Sequence, residues 1–320
     1  MSIGELIIFL VQQMMYFSIP LLVVALGGLF AERSGVVNIA LEGIMIVGAF
    51  CSILFIHYFQ GSMPGQTVLI VALIIAVVAG MLISLVHAYA AVNMKADQTI
   101  SGTAINMFAP AFAIFVARML QGVQQVTFQN AFRIEKVPFL GDIPVIGPLF
   151  FQQTYITTYL GFALLIIASV VLYKTRFGLR MRACGEHPQA ADSVGVNVYK
   201  MRYAGTLISG ALAGMGGLIF VIPTSTNFDA TVSGYGFLAL AVLIFGQWKP
   251  RRILFAALFF GFMKTVSATY SSIPLLVGLK IPSDIYKMIP YIATLVVLAF
   301  TSKNSAAPRA EGIPYDKGQR

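Results

Sequence analysis

The chain has 320 residues, 58% of them hydrophobic and 10% charged, with 29 glycines and a mean hydropathy of +0.85. A soluble domain carries about a quarter charged residues, so this composition excludes a water-soluble enzyme, a disordered tail and a secreted disulfide scaffold. The formal charge of +9 is read as the cytoplasmic bias of a membrane protein and not as a nucleic-acid surface, because basic residues orient spanning helices by collecting on that side.

In chain order, Met-Ser-Ile-Gly-Glu at the N-terminus lacks the positive region and the clear cleavage site of a signal peptide, so the first apolar stretch is read as a retained helix. Apolar stretches of spanning length lie near 4–29, 36–57, 67–92, 99–118, 155–173, 203–222, 235–248, 253–271 and 285–301. They predict an all-α, polytopic transmembrane bundle of about nine spans, with eight to ten as the range. The second stretch is interrupted by Asn38, Glu42 and Gly43, and the seventh is short for a crossing, so either is expected to be broken or re-entrant. The expected layout is a transmembrane domain over 1–302, with halves of about 1–120 and 155–302. An outer loop over 121–154 separates the halves, a cytoplasmic loop covers 174–202, and a cytoplasmic tail covers 303–320.

Nine spans place Arg33, Lys95, Lys174, Arg176, Arg180, Arg182, Lys200, Arg202, Lys249, Arg251, Arg252, Lys303, Arg309, Lys317 and Arg320 on one side. That side is expected to be cytoplasmic and the N-terminus to be outside. Arg118, Arg133, Lys136, Lys280 and Lys287 fall opposite, with Lys264 inside a span. Cys51 and Cys184 are expected on opposite sides, with no disulfide. Segments 34–48 and 233–246 are weakly alike and run in opposite directions, as an inverted repeat would.

No GxxxxGK[ST] phosphate loop occurs, so the chain is not expected to hydrolyse ATP by that route. His57, His87 and His187 lie apart without zinc spacing. Within the spans, Asn38 and Glu42 are four residues apart, which predicts one face of the second helix. An intramembrane carboxylate costs about 2.5–3.5 kcal/mol. Glu42 therefore either faces a watery path or pairs with a backbone group, Lys95 or a helix N-terminus. Thr99, Thr103 and Asn106 form a second polar stripe ahead of Pro110, suited either to an uncharged solute or to interhelical hydrogen bonds. Lys264 is expected to snorkel or pair. Gly205, Ser209, Ala213 and Gly217 form a small-residue stripe expected to pack tightly within the chain.

The 174–202 loop predicts a short helix at the cytoplasmic surface. Glu186 and Pro188 suit its first turn, and Ala190, Ala191 and Val194 form an apolar stripe ending at Gly195. Either lipid headgroups or a soluble partner would cover it. Thr175, Gly178, Arg182-Ala183, Gly185, Pro188, Ala190-Ala191 and Gly195-Val196, followed by the glycine-rich 205–217, closely resemble the coupling loop of ATP-binding-cassette importer permeases of the ribose, branched-chain amino acid and nucleoside class. Glu32-Arg33-Ser-Gly-Val-Val-Asn38 through Glu42-Gly43 to Gly48 is similar to the nucleoside and simple-sugar branch. Gly234-Tyr-Gly236 through Gly246, then Pro250, is similar to the second-half signature, with Gln247-Trp248 where relatives often carry a glycine.

The resemblance implies a multi-pass subunit of the bacterial plasma membrane that forms a translocation path for nucleosides, with a simple sugar, riboflavin or a branched-chain amino acid as alternative solutes. It implies a cytoplasmic ABC ATPase carrying the ATP and Mg, a second permease, identical or paralogous, an extracytoplasmic substrate-binding protein, and no cofactor, bond-changing chemistry or nucleic acid in this chain. Membrane lipid is its solvent. Arg182, Gly185, Glu186, Pro188, Ala190, Ala191 and Gly195 are the expected coupling residues, and Asn38, Glu42, Thr99, Thr103 and Asn106 the expected path residues. A proton-coupled secondary transporter using Glu42 is the rival from another class.

Overall fold

The structure, a computed structural model, describes residues 3–279, 281–301 and 306–318. Lys280, Lys303 and Arg320 of the predicted charge pattern lie outside the described residues. In chain order the helices are α1 (Ile3–Ser34), α2 (Leu41–Phe59), α3 (Gly65–Val92), α4 (Gln98–Gln121), α5 (Ile156–Lys174), α6 (Arg176–Glu186), α7 (Pro188–Ser193), α8 (Val198–Thr224), α9 (Tyr235–Phe245), α10 (Pro250–Thr269), α11 (Pro274–Gly278) and α12 (Ser283–Thr301). Each of the nine predicted stretches holds a helix, though 36–40 of the second and 246–248 of the seventh are not helical. Among the described residues, seven helices are long and apolar enough to span: α1 to α5, α8 and α10. The predicted seventh span fails on length, since the 11 residues of α9 cover about 16 Å of a hydrocarbon core of ~30 Å.

The segment 121–154 holds short ordered pieces. Strand β1 (Val126–Thr127) pairs antiparallel with β4 (Asn227–Phe228), and β2 (Ile134–Lys136) with β3 (Gln152–Thr154). This face ties down the N-terminal half of α1. Gln12 Nε2 donates to Pro148 O at 2.8 Å, and the Tyr16 hydroxyl donates to Gln153 O. The end of α2 meets it too, with His57 Nδ1 2.7 Å from Thr127 O. The opposite face carries α6, α7 and the C-terminal segment.

Helices α1 and α8 form the centre, with α2 and α3 packed on α8. No hydrophobic effect drives helices together in lipid, so close packing must do so, and small residues permit it. A Cβ on Gly48 would lie 2.4 Å from Gly214 Cα, and one on Gly214 would lie 2.3 Å from Ala76 O. Backbone thus meets backbone where α2, α3 and α8 cross. The small-residue stripe of α8 packs inside the chain as expected: Gly205 meets Ser34 and Gly217 meets Met45 O.

Candidate translocation path and coupling face

Residues 35–40, between α1 and α2, are not helical, and the backbone groups buried there need partners other than water. Neighbouring helices supply them. Gln98 Oε1 accepts from Val37 N–H at 2.6 Å. Val37 O lies 3.0 Å from His87 Nε2. A carbonyl only accepts, so Nε2 carries the proton, and Nδ1 accepts from Ser101 Oγ at 2.8 Å. Asn106 bridges the break: Nδ2 donates to Ile39 O at 2.9 Å and Oδ1 accepts from Gly43 N–H at 2.8 Å. Gly43 N–H is one of the orphan donors of the first turn of α2, and the amide that caps it comes from α4.

Asn38 lies in this lead-in and not on α2, so the predicted shared helical face with Glu42 does not exist. Its fully buried side chain donates from Nδ2 to Ser209 Oγ of α8 at 2.8 Å. Its Oδ1 has no partner among the described residues. Glu42, 8% exposed, spends both oxygens on the start of α9, accepting from Gly234 N–H at 2.9 Å and Gly236 N–H at 2.6 Å. A carboxylate suits a helix N-terminus, where free N–H groups and the dipole favour negative charge. Gly234 serves as the N-cap with φ +76°. A Cβ on Gly236 would lie 2.3 Å from Glu42 N, so no larger residue allows the approach.

The two weakly similar segments are therefore the two interrupted ones, and their helix starts meet inside the bundle. Helix α2 runs from there toward the face that carries 121–154, and α9 toward the face that carries α6 and α7. Tyr235 at the junction packs its ring 4.0 Å from that of Phe220, and its buried hydroxyl has no partner among the described residues. Lys264 Nζ stands 5.8 Å from the same ring.

Thr99 and Thr103 are separated from Asn106 by exposure. Both face outward, whereas Asn106 is half-buried against α2. Asp97 caps α4, accepting from Thr99 N–H at 2.7 Å and Ile100 N–H at 3.0 Å, and these bonds hold its carboxyl below the ordinary range. Thr103 Oγ1 donates to Thr99 O at 2.7 Å.

The predicted coupling helix is two helices. Glu186 closes α6, His187 breaks the chain at φ −142°, ψ 82°, and Pro188 opens α7 at its first position. Proline there forfeits only an N–H that would be orphaned anyway. Gly195 ends the turn at φ +85°. The expected apolar stripe divides: Ala191 is buried, while Ala190 is exposed and Val194 is 78% exposed. Helix α8 begins at Val198 and takes in Lys200 and Arg202 of the predicted 174–202 loop.

Helix α6 presses on the end of α1. A Cβ on Gly185 would lie 2.5 Å from Arg33 O. Glu186 Oε1 lies 3.4 Å from Arg33 Nη1, and Arg33 Nη2 donates to Trp248 O at 3.0 Å. Trp248 Nε1 donates to Glu32. The Arg182 guanidinium carbon stands 4.8 Å from the centroid of the Tyr173 ring.

Two features depart from their reading in the sequence as a loop cation and a tail. Arg202 is 1% exposed, and none of its three guanidinium nitrogens has a hydrogen-bond partner among the described residues. The C-terminal segment folds back as a strap. Ala310 N–H donates to Gly185 O at 2.8 Å, Gly312 N–H to Gly35 O at 3.3 Å, and Lys95 Nζ reaches Asp316 at 2.8 Å. Burial pushes the Glu311 carboxyl up to about 7, against the lowering effects of Glu32 and Arg33 beside it.

Residues 10–298 match the family of branched-chain amino acid transport system permease components. The chain is 46% identical to the guanosine ABC transporter permease NupQ of Bacillus subtilis and 40% identical to the nucleoside ABC transporter permease NupC of Lactococcus lactis, covering 100% of both chains in each case. It is 30% identical to the putative glucose ABC transporter permease TsgC13 of Haloferax volcanii, over 88% of this chain and 87% of that one. No solved structure matches it significantly. With nearly its whole length matched and its spanning helices in place, the chain belongs to this family of multi-pass membrane permeases.

Proposed function

We propose that this permease subunit of an ABC importer forms the path for nucleosides, with guanosine among its solutes. The end-to-end identity of 46% to a guanosine permease carries the reading. A separate ATPase, holding the ATP and Mg, docks on α6 and α7, where Ala190 and Val194 present an exposed apolar face and Arg182, Gly185, Glu186, Pro188, Ala191 and Gly195 support it. An extracytoplasmic binding protein delivers the solute, and a second permease, a copy or a paralogue, completes the pore. Within this subunit Thr99 and Thr103 offer hydroxyls to the path. Asn38, Glu42 and Asn106 hold the interrupted helices that shape it. The full engagement of Glu42 by α9 supports a positioning role over proton coupling. None of these residues catalyses a bond change.

The test is uptake of radiolabelled guanosine and uridine by cells expressing the permease with its ATPase and binding protein, against unlabelled ribose, riboflavin and leucine. Uptake abolished by nucleosides and spared by the others is expected. Assembly with the ATPase but no nucleoside uptake would overturn the solute assignment.

A further inference from the structure

The cytoplasmic ends of α5 and α10 enclose a groove of about 640 Å³ that the translocation reading does not use. Its apolar lining comes from Val170, the Tyr173 ring and the buried Pro250. Its rim carries Lys174, Lys249, Arg251 and Arg252, all exposed. No acidic residue lines it. The ion pairs among the described residues involve other cations: Arg33, Lys95, Lys136 and Lys287. Four uncompensated positive charges thus surround one apolar cleft. Helix α10 opens at this rim without a side-chain cap, which adds free N–H groups and the positive end of a dipole.

The depth of the groove narrows the choice of occupant. Val170 lies about one turn deeper along α5 than Tyr173 and Lys174, so the groove runs from the headgroup level into the hydrocarbon. Topogenic charge alone accounts for cations on this side, but it does not require them to ring a cleft with an apolar floor. An occupant must be anionic at one end and apolar at the other.

We propose that this groove binds an anionic phospholipid of the cytoplasmic leaflet, its phosphate held by Lys174, Lys249, Arg251 and Arg252 and its first acyl carbons laid along Val170 and Tyr173. The inference needs the cytoplasmic placement of this face and not the identity of the solute. Tyr173 also donates to Trp248 O at 3.3 Å and stands beside Arg182, so an occupied groove abuts the coupling face.

The test is native mass spectrometry of the full-length permease, purified with its ATPase and titrated with phosphatidylglycerol or phosphatidylcholine. Each basic residue contributes about fivefold to anionic-lipid binding, so R251Q/R252Q is expected to weaken phosphatidylglycerol retention at least tenfold and leave phosphatidylcholine retention unchanged. V170W, which fills the groove without altering charge, is expected to lose phosphatidylglycerol as well. K200Q/K317Q removes the same charge elsewhere on this face and is expected to retain it. Unchanged retention in R251Q/R252Q or V170W would overturn the proposal, as would equal loss in K200Q/K317Q. Release of the ATPase by R251Q/R252Q with phosphatidylglycerol retained would assign the face to the ATPase instead.

Discussion

Glu42→Ala removes the carboxylate that caps the start of α9 and takes the acceptor from Gly234 and Gly236 N–H, bonded at 2.9 and 2.6 Å. Hydrogen bonds to a charged group contribute about 1.5–3 kcal/mol each, so the pair accounts for roughly 3–6 kcal/mol. No water reaches Gly236 to replace the loss, since that residue is buried. At about 2.1 cal/mol/K per residue, a chain of 320 residues shifts its melting temperature by roughly 1.5 °C per kcal/mol, which predicts a fall of about 5–9 °C for the detergent-solubilised permease. Glu42→Gln keeps the shape and one acceptor but turns an NH₂ toward the second N–H, so about half the fall is expected. The assay is loss of the monodisperse peak on size exclusion after heating, read beside uptake per folded molecule. The capping role requires uptake to fall with folded protein. Melting within about 2 °C of the native value in E42A would refute the reasoning, and uptake lost at unchanged melting in E42Q would place the carboxylate on the solute.

Gly214→Val drives a side chain into Ala76 O and Gly80 Cα, which a bare Cβ already meets at 2.3 and 2.9 Å. A loss above about 3 kcal/mol is expected, read as poor recovery of folded permease, whereas Gly61→Val, with nothing within 4 Å of its Cβ, should be recovered normally. Ala190→Trp is expected to abolish co-purification with the ATPase and leave the melting temperature unchanged, because Ala190 is exposed; Ala191→Trp, at a buried site, should lower it. Docking of the C-terminal strap should depend on pH through Glu311. Its carboxyl is raised to about 7 when docked, against an ordinary 4.5, so the docked strap holds the proton more tightly than a free one. Docking is strongest below pH 4.5 and weakens as pH rises through 7, by up to about tenfold per unit before solvent screening. Hydrogen exchange at Ala310 and Gly312, corrected for intrinsic rates, should follow that trend in the native chain and follow it more weakly in E311Q, where the neighbouring Glu32 is left.

The spans were legible because each is a run of apolar residues long enough to cross, and that signal is local. So was the interruption at Asn38 to Gly43, since polar residues in an apolar run demand partners. Which partners they find was not legible. Helical spacing put Asn38 beside Glu42, but the chain is not helical at Asn38, and the buried backbone groups left free there are satisfied by side chains distant in sequence. Gln98 and His87 are those side chains. The visible signal for His87 was the cost of an imidazole in the strongly apolar stretch 65–92; nothing local marked Gln98. Arg202 read as a loop cation because α8 begins before the apolar run does. The strap was invisible for a similar reason: polar sequence rich in proline and glycine reads as tail, its backbone hydrogen bonds to Gly185 and Gly35 are announced by no side chain, and the Lys95–Asp316 pair joins residues far apart in sequence.

Helix α9 is the element on which these contacts converge. It is too short to cross and is gripped at both ends. At its inner end Glu42 holds Gly234 and Gly236. Beyond its other end Arg33 holds Trp248 O, Glu32 accepts from the indole, and Gln247 Oε1 accepts from Ala306 N–H at 3.0 Å. Arg33 is also the residue on which α6 rests through Gly185 and Glu186. A rigid rod of 11 residues therefore joins the surface proposed to meet the ATPase to the junction proposed to shape the path. An arrangement with two discrete positions needs such a connection, because displacement at one end must reach the other without being absorbed by loops. On this reading the shortness of α9 is functional. A helix that crossed the whole membrane would end in the outer loop, where its N-terminus would be solvated, and Glu42 would have nothing to hold.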